Sequence, residues 1–347
     1  MIKPQMLTYI NFEIRPKANT TWQRKFYFKT FYFMNKEINF VSNLTAWAMT
    51  EEANHYCSRS PNLTHDWGVI FILLNSLFSL VAIGGNTTVL LIIYRVRALR
   101  SSSNILIASL AIADLEVGLV VYPVYIALTV TRKWFSAHFV YRLENFLWIQ
   151  CLATSTFTLC AISIDRLIAV TFAIRYKQII TKKRCYRAIL SILITSLLFG
   201  CSSLFFEDKG KASVLWIVTL VLTFVIPFAV IIYCYFQIFK AVHERKENIC
   251  RLSPMIAADM LKNRKAAWTV AIVVSIFFMT FFPNVVFSAI DVRTRDFCEK
   301  ALVYRHWLWG ILLAFSSSAW NPFVYAARIR VFRRELKRLF KLSQNFR

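Results

Sequence analysis

Asn86, Asp114, Ser155 and Asn321 stand inside stretches of the chain that are otherwise apolar. A polar group at such a position is costly in hydrocarbon, so each is a candidate for function, beside the plainer role of hydrogen-bonding a neighbouring helix. Asp165 and Arg166 place an acid next to a base at the end of another apolar stretch. None of this is the equipment of an enzyme. Catalysis needs a nucleophile with its base or a cluster of metal ligands, and the five histidines, His55, His65, His138, His243 and His306, lie near the ends of the apolar stretches or between them.

The elements that must position these groups follow from hydropathy. With 57% hydrophobic and 17% charged residues the chain is too apolar for water to be its only solvent. Apolar runs near 68–94, 104–130, 138–171, 185–206, 213–240, 266–290 and 303–327 are each long enough, at about 1.5 Å per residue, to cross a hydrocarbon core of about 30 Å. Seven helices are expected, since a backbone in lipid must satisfy its own hydrogen bonds and the alternation of a barrel is absent. The fold class is an all-α membrane protein, a seven-transmembrane helix bundle. Residues 1–67 precede it, and 328–347 follow as a short amphipathic eighth helix and tail.

The net charge of +24 raises nucleic acid as a partner, but Lys and Arg lie mainly between the runs and in the tails, with no basic domain for a groove. Topology accounts for them. Arg95, Arg97, Arg100, Lys182, Lys183, Arg184, Arg245, Lys246, Lys262, Arg264, Lys265, Arg328, Arg330, Arg333 and Arg334 all fall after spans one, three, five and seven. By the positive-inside rule these segments are cytoplasmic and the amino terminus is outside, as for a multi-pass protein of the plasma membrane. Sequons at Asn43 and Asn62 then make the protein a glycoprotein, while Asn86, also in a sequon, lies mid-membrane where it is not reached. The first 33 residues hold six Lys or Arg against one acid, unlike an outer segment, so native translation is expected to start at Met34. A third sequon at Asn19 is compatible with translation of the whole. No ordinary signal peptide is evident, and the first span serves for insertion.

Eight cysteines are too few for a disulfide framework, and Cys151, Cys160 and Cys234 lie inside apolar runs as packing residues. Cys57 and Cys298 share the outer compartment and are candidates for a bridge, with Cys201 as the spare partner.

Several motifs occur together in a fixed order. They are G-G-N ending at Asn86, L-A-I-A-D-L with Asp114, S-I-D-R-L with Asp165 and Arg166, Pro227 followed two turns on by Tyr235, F-F-M-T-F-F-P from Phe277 to Pro283, and N-P-F-V-Y from Asn321 to Tyr325. A basic stretch with Ile329, Phe332, Leu336 and Leu339 follows, the pattern of a helix lying flat on the membrane lipid. From residue 68 to about 340 the chain resembles the rhodopsin-like (class A) G protein-coupled receptors. The resemblance implies that Asp165 holds Arg166 in the inactive state. It also implies that Tyr235 and Tyr325 meet the released arginine region, that Phe277 and Phe281 are the packing switch, and that Pro283 and Pro322 kink their helices. Phe281 stands where the family usually has Trp, and Leu167 where it has Tyr.

The same resemblance makes Asn86, Asp114, Ser155, Ser318 and Asn321 candidates for a bound sodium ion; no other cofactor or metal is expected. It places an unknown extracellular ligand among Trp148, Leu152, Thr219, Thr223, Phe281, Asn284, Ser288 and Ile311, although plain helix packing explains Leu152 and Ile311 equally well. Counting from Arg166, Trp148 takes the place of the aspartate that binds amines in aminergic members, which disfavours a simple amine. Counting from Pro322, Phe315 takes the place of the opsin lysine, so no Schiff base forms. Tyr141 replaces the usual cysteine of helix three and the second outer loop, about 207–212, is short and has none. That departure leans toward the melanocortin, lysophospholipid, cannabinoid and adenosine grouping and favours a small or lipid-like ligand. Span four also lacks the family's tryptophan. A heterotrimeric G protein is the implied partner, with Arg166, Ile174, Tyr176 and Lys265 at the contact surface and a short third inner loop at 241–265. Ser343 is the only hydroxyl of the tail, so arrestin binding through phosphorylation should be weak. The alternative, a membrane transporter of a small molecule, calls for internal repeats and charged midplane sites, which the two halves do not show.

Overall fold

Backbone groups that find no water close into helices, and the computed structural model is helical along most of the residues it describes, 65–131, 139–205, 217–245, 254–294 and 297–344. The elements are α1 (His65–Arg95), α2 (Ser102–Thr131), α3 (Phe139–Thr171), α4 (Lys182–Phe205), α5 (Ile217–His243, continuing to Arg245), α6 (Pro254–Arg293), α7 (Phe297–Arg328) and α8 (Arg330–Gln344). A single turn, Tyr176–Ile179, lies between α3 and α4. Helices α1 to α6 are each long and apolar enough to cross a membrane. Helix α7 is as long, at 32 residues, but Ser316, Ser317, Ser318, Asn321 and Pro322 lower its hydropathy; it packs along α6, α1 and α2 and closes the bundle. Asn43, Asn62 and Cys57 lie outside the described residues.

Helix α3 is central, with 72% of its apolar window buried against 11% for α4. Large apolar side chains such as Leu80, Leu198 and Met279 are exposed around the bundle, a belt suited to lipid. Helices α2 and α5 each carry a π turn, Val117–Val121 and Val221–Val225, just before Pro123 and Pro227. The cause is local: a proline has no N–H for the carbonyl four residues back, and the wider turn rearranges the ladder around it.

Two glycines explain close contacts. A Cβ on Gly85 of α1 would stand 2.7 Å from Cγ of Pro322, so α1 and α7 meet only because that side chain is absent. A Cβ on Gly200 of α4 would stand 2.9 Å from Phe146 and from Gln150, so α4 lies directly on α3 there.

One expectation is corrected here. The segment 241–265 is mostly helix rather than loop, because α5 runs on to Arg245 and α6 starts at Pro254, which suits the first turn of a helix. The eighth helix begins at Arg330, two residues past the expected boundary, and seats Phe332 against Tyr325 with ring centroids 6.0 Å apart.

Candidate functional site

At the basic end of the bundle, Asp165 and Arg166 close the last turns of α3. Arg166 Nε donates to Asp165 Oδ2 at 3.0 Å, and its Nη2 reaches the same oxygen. Ser103 at the start of α2 donates to Oδ2 at 2.9 Å, and Tyr176 donates its hydroxyl to Oδ1 at 2.7 Å. Burial, then the charge of Asp165, push the Tyr176 phenol up, so it stays a donor. Tyr176 therefore turns inward, whereas Ile174 is 80% exposed. Tyr235 reaches α6, donating to the Ala267 carbonyl at 3.4 Å. Asn263 of α6 donates to the Ala169 carbonyl of α3 at 3.0 Å, which holds the two helices together at this end.

Midway along the bundle, Asn321 Nδ2 donates to Asp114 Oδ2 at 2.7 Å, and Ser318 engages the same carboxylate. Asn86 Nδ2 donates to the carbonyls of Ala82 and Ser318, both at 3.0 Å, leaving its Oδ1 buried without a partner among the described residues. Ser155 is buried on α3, and among the described residues it is Asn321 and Ser318, not Ser155, that engage Asp114. Gln150 bridges α3 to α2 through Glu116 at 3.3 Å.

Toward the opposite end, Trp148 stacks on Phe281 at 5.8 Å and meets Phe315 edge-on at 5.4 Å. Phe281 in turn touches Phe224 at 4.4 Å and Phe277 at 6.1 Å. Leu152, Thr219, Thr223, Asn284, Ser288 and Ile311 are all buried around this aromatic cluster. Thr223 donates to the Thr219 carbonyl at 2.7 Å, and Asn284 accepts from Trp307 Nε1. Asn284 Nδ2 and the Thr219 hydroxyl are buried without partners among the described residues. Sequence reasoning missed two groups at this end: Glu144 of α3, and Tyr125 of α2, whose hydroxyl donates to it. An acid near the end of a span looks like an ordinary boundary charge until its burial is seen.

A separate crevice of about 580 Å³ opens between α1, α2 and α4, lined by Leu90, Tyr94, Arg100, Glu116, Lys182 and Tyr186 among others; none of the expected ligand residues borders it. Among the cysteines, Cys201 is free on α4, and the Cys57 partner proposed for Cys298 falls outside the described residues.

A bundle of membrane-crossing helices, closed by an acid–arginine pair at its basic end and by an aromatic cluster at the other, defines a helical membrane receptor. Residues 85–325 match the family described as the 7 transmembrane receptor (rhodopsin family), and the chain belongs to that family. It is similar to trace amine-associated receptor 7e of Mus musculus, 29% identical over 83% of this chain and 86% of that protein. It is also similar to trace amine-associated receptor 5 of Homo sapiens, 29% identical over 80% of this chain and 87% of that protein. The protein is thus a multi-pass G protein-coupled receptor, not an enzyme, and the transporter alternative finds no support.

Proposed function

We propose that the receptor lies in the plasma membrane with its amino terminus outside, takes a small organic ligand over the Trp148–Phe281 cluster, and opens its basic end to a heterotrimeric G protein. The observation that carries this is one helix with both ends engaged. Trp148 and Arg166 lie 18 residues apart on α3, roughly 27 Å along its axis, with the first in the aromatic cluster and the second locked to Asp165. A ligand that repacks Trp148, Phe281 and Phe277 changes how α6 sits on α3, and the contacts at Asn263, Tyr235 and Asp165 are what must yield. Only differential affinity for the open arrangement does this.

Asn86, Asp114, Ser155, Ser318 and Asn321 suit a sodium ion, since all offer oxygen and Asn86 Oδ1 is buried without a partner among the described residues. Sodium there would favour the closed state by adding bonds to it. Basic residues of α8 and the exposed apolar belt support lipid as the surrounding partner.

The names of the relatives associate them with trace amines, and a cationic amine in a buried pocket calls for a carboxylate. Trp148 occupies the family's usual place for it. The test of the receptor reading is a ligand screen in cells that reports cyclic nucleotide and calcium together. Arg166→Ala should silence any response at equal surface expression; an undiminished response removes the coupling mechanism.

A further inference from the structure

We infer that Glu144 is the counter-ion for a cationic amine ligand, held in place by Tyr125, and that the ligand is a small aromatic monoamine with a hydrogen-bonding substituent. This rests on the reading of the Trp148–Phe281 region as the ligand pocket.

Glu144 precedes Trp148 by four residues, one turn or about 6 Å nearer the end opposite the basic one, and so shares its face of α3. It is 6% exposed, near the start of the membrane-crossing stretch of α3. A buried carboxylate is sustained by a cation or by several hydrogen bonds. The ion pairs of Arg166 with Asp165 and of Arg334 and Arg338 with Glu335 do not engage Glu144. Its hydrogen-bond partner among the described residues is the Tyr125 hydroxyl. One phenol orients a carboxylate without neutralising it. An ammonium on the ligand supplies the charge that holds such a buried carboxyl in its ionised form.

The surroundings say what else the ligand carries. The Tyr125 ring is 6.1 Å from Phe315, which meets Trp148, so the carboxylate is joined by ring contacts to the aromatic floor of Trp148, Phe281 and Phe315. Such faces take an aromatic ring or an ammonium. On α5 and α6, the Thr219 hydroxyl and Asn284 Nδ2 are buried, at 2% and 0% exposure, and have no partner among the described residues. Two orphaned groups beside a rigid aromatic floor call for a hydroxyl, ether or carbonyl on the ligand, because burying them unmade is expensive. The absence of an acid at position 148 therefore does not exclude amines; the acid stands one turn further along the same face.

The experiment uses the full-length purified receptor. Its unfolding temperature is measured with phenethylamine, a ring-hydroxylated phenethylamine and a quaternary phenethylammonium, each against neutral phenethyl alcohol and oleic acid. Stabilisation by the amines and not by phenethyl alcohol or oleic acid is expected. Glu144→Gln should weaken the amine effect by about thirtyfold or more, as for loss of one partner of a buried charge pair, with Glu144→Asp retaining most of it and Tyr125→Phe losing part. No stabilisation by any amine overturns the proposal. So does amine binding that survives Glu144→Gln undiminished; if Trp148→Ala or Asn284→Ala still abolishes it, the pocket reading stands and only the counter-ion falls. Binding insensitive to all of these variants removes both. Should Glu144→Gln fail to fold, the graded response of Glu144→Asp and Tyr125→Phe decides in the same way.

Discussion

Tyr176 donates its hydroxyl to Asp165 at 2.7 Å across 11 residues of chain, and this bond ties the turn after α3 to the carboxylate that restrains Arg166. Asp165 is thereby shared among Arg166, Ser103 and Tyr176. Under the proposed coupling, each of these three donors stabilises the closed state.

Tyr176→Phe removes one donor while keeping the ring. At about 1 kcal/mol for one hydrogen bond, ligand-free signalling should rise about fivefold. Basal cyclic nucleotide or calcium output, normalised to surface receptor, measures it; unchanged output means the bond does not weigh on the closed state.

Asp114→Asn should abolish any dependence of agonist affinity on sodium. The check is a binding titration in sodium against potassium at constant ionic strength. A variant that keeps the wild-type sodium response rules out Asp114 as the ion's ligand.

Gly85→Ala places a methyl 2.7 Å from Pro322 Cγ and 3.0 Å from its Cβ, atoms of a stiff ring that does not swing aside. Overpacking of this kind costs about 1 to 3 kcal/mol, read as a lower unfolding temperature and reduced surface expression. Gly84→Ala, with nothing within 4 Å of the added carbon, is the matched control and should lower neither, since Ala suits a helix interior at least as well as Gly.

Trp307→Phe leaves the Asn284 carbonyl oxygen without its donor on a residue that is fully buried. The expected cost is about 1 to 3 kcal/mol of stability, seen in thermal unfolding without ligand. A variant as stable as wild type means that another group takes up the Asn284 amide.

The membrane-crossing segments, their number and the places of Asp114, Asp165, Arg166, Pro283 and Asn321 were legible in the chain itself. The reason is that bilayer thickness and backbone satisfaction act on one contiguous segment at a time, so hydropathy over about 20 residues finds α1 to α6 locally, while α7 is marked by its length and its N-P-F-V-Y motif. Only the folded bundle decided which polar groups meet. Asn321 reaches Asp114 across 207 residues, and Glu144 is a buried partner of Tyr125 rather than a boundary charge. Those pairings depend on how side chains of distant helices interlock and on a glycine that lets Pro322 sit against α1. Neither hydropathy nor motif spacing contains the rotation of one helix against another.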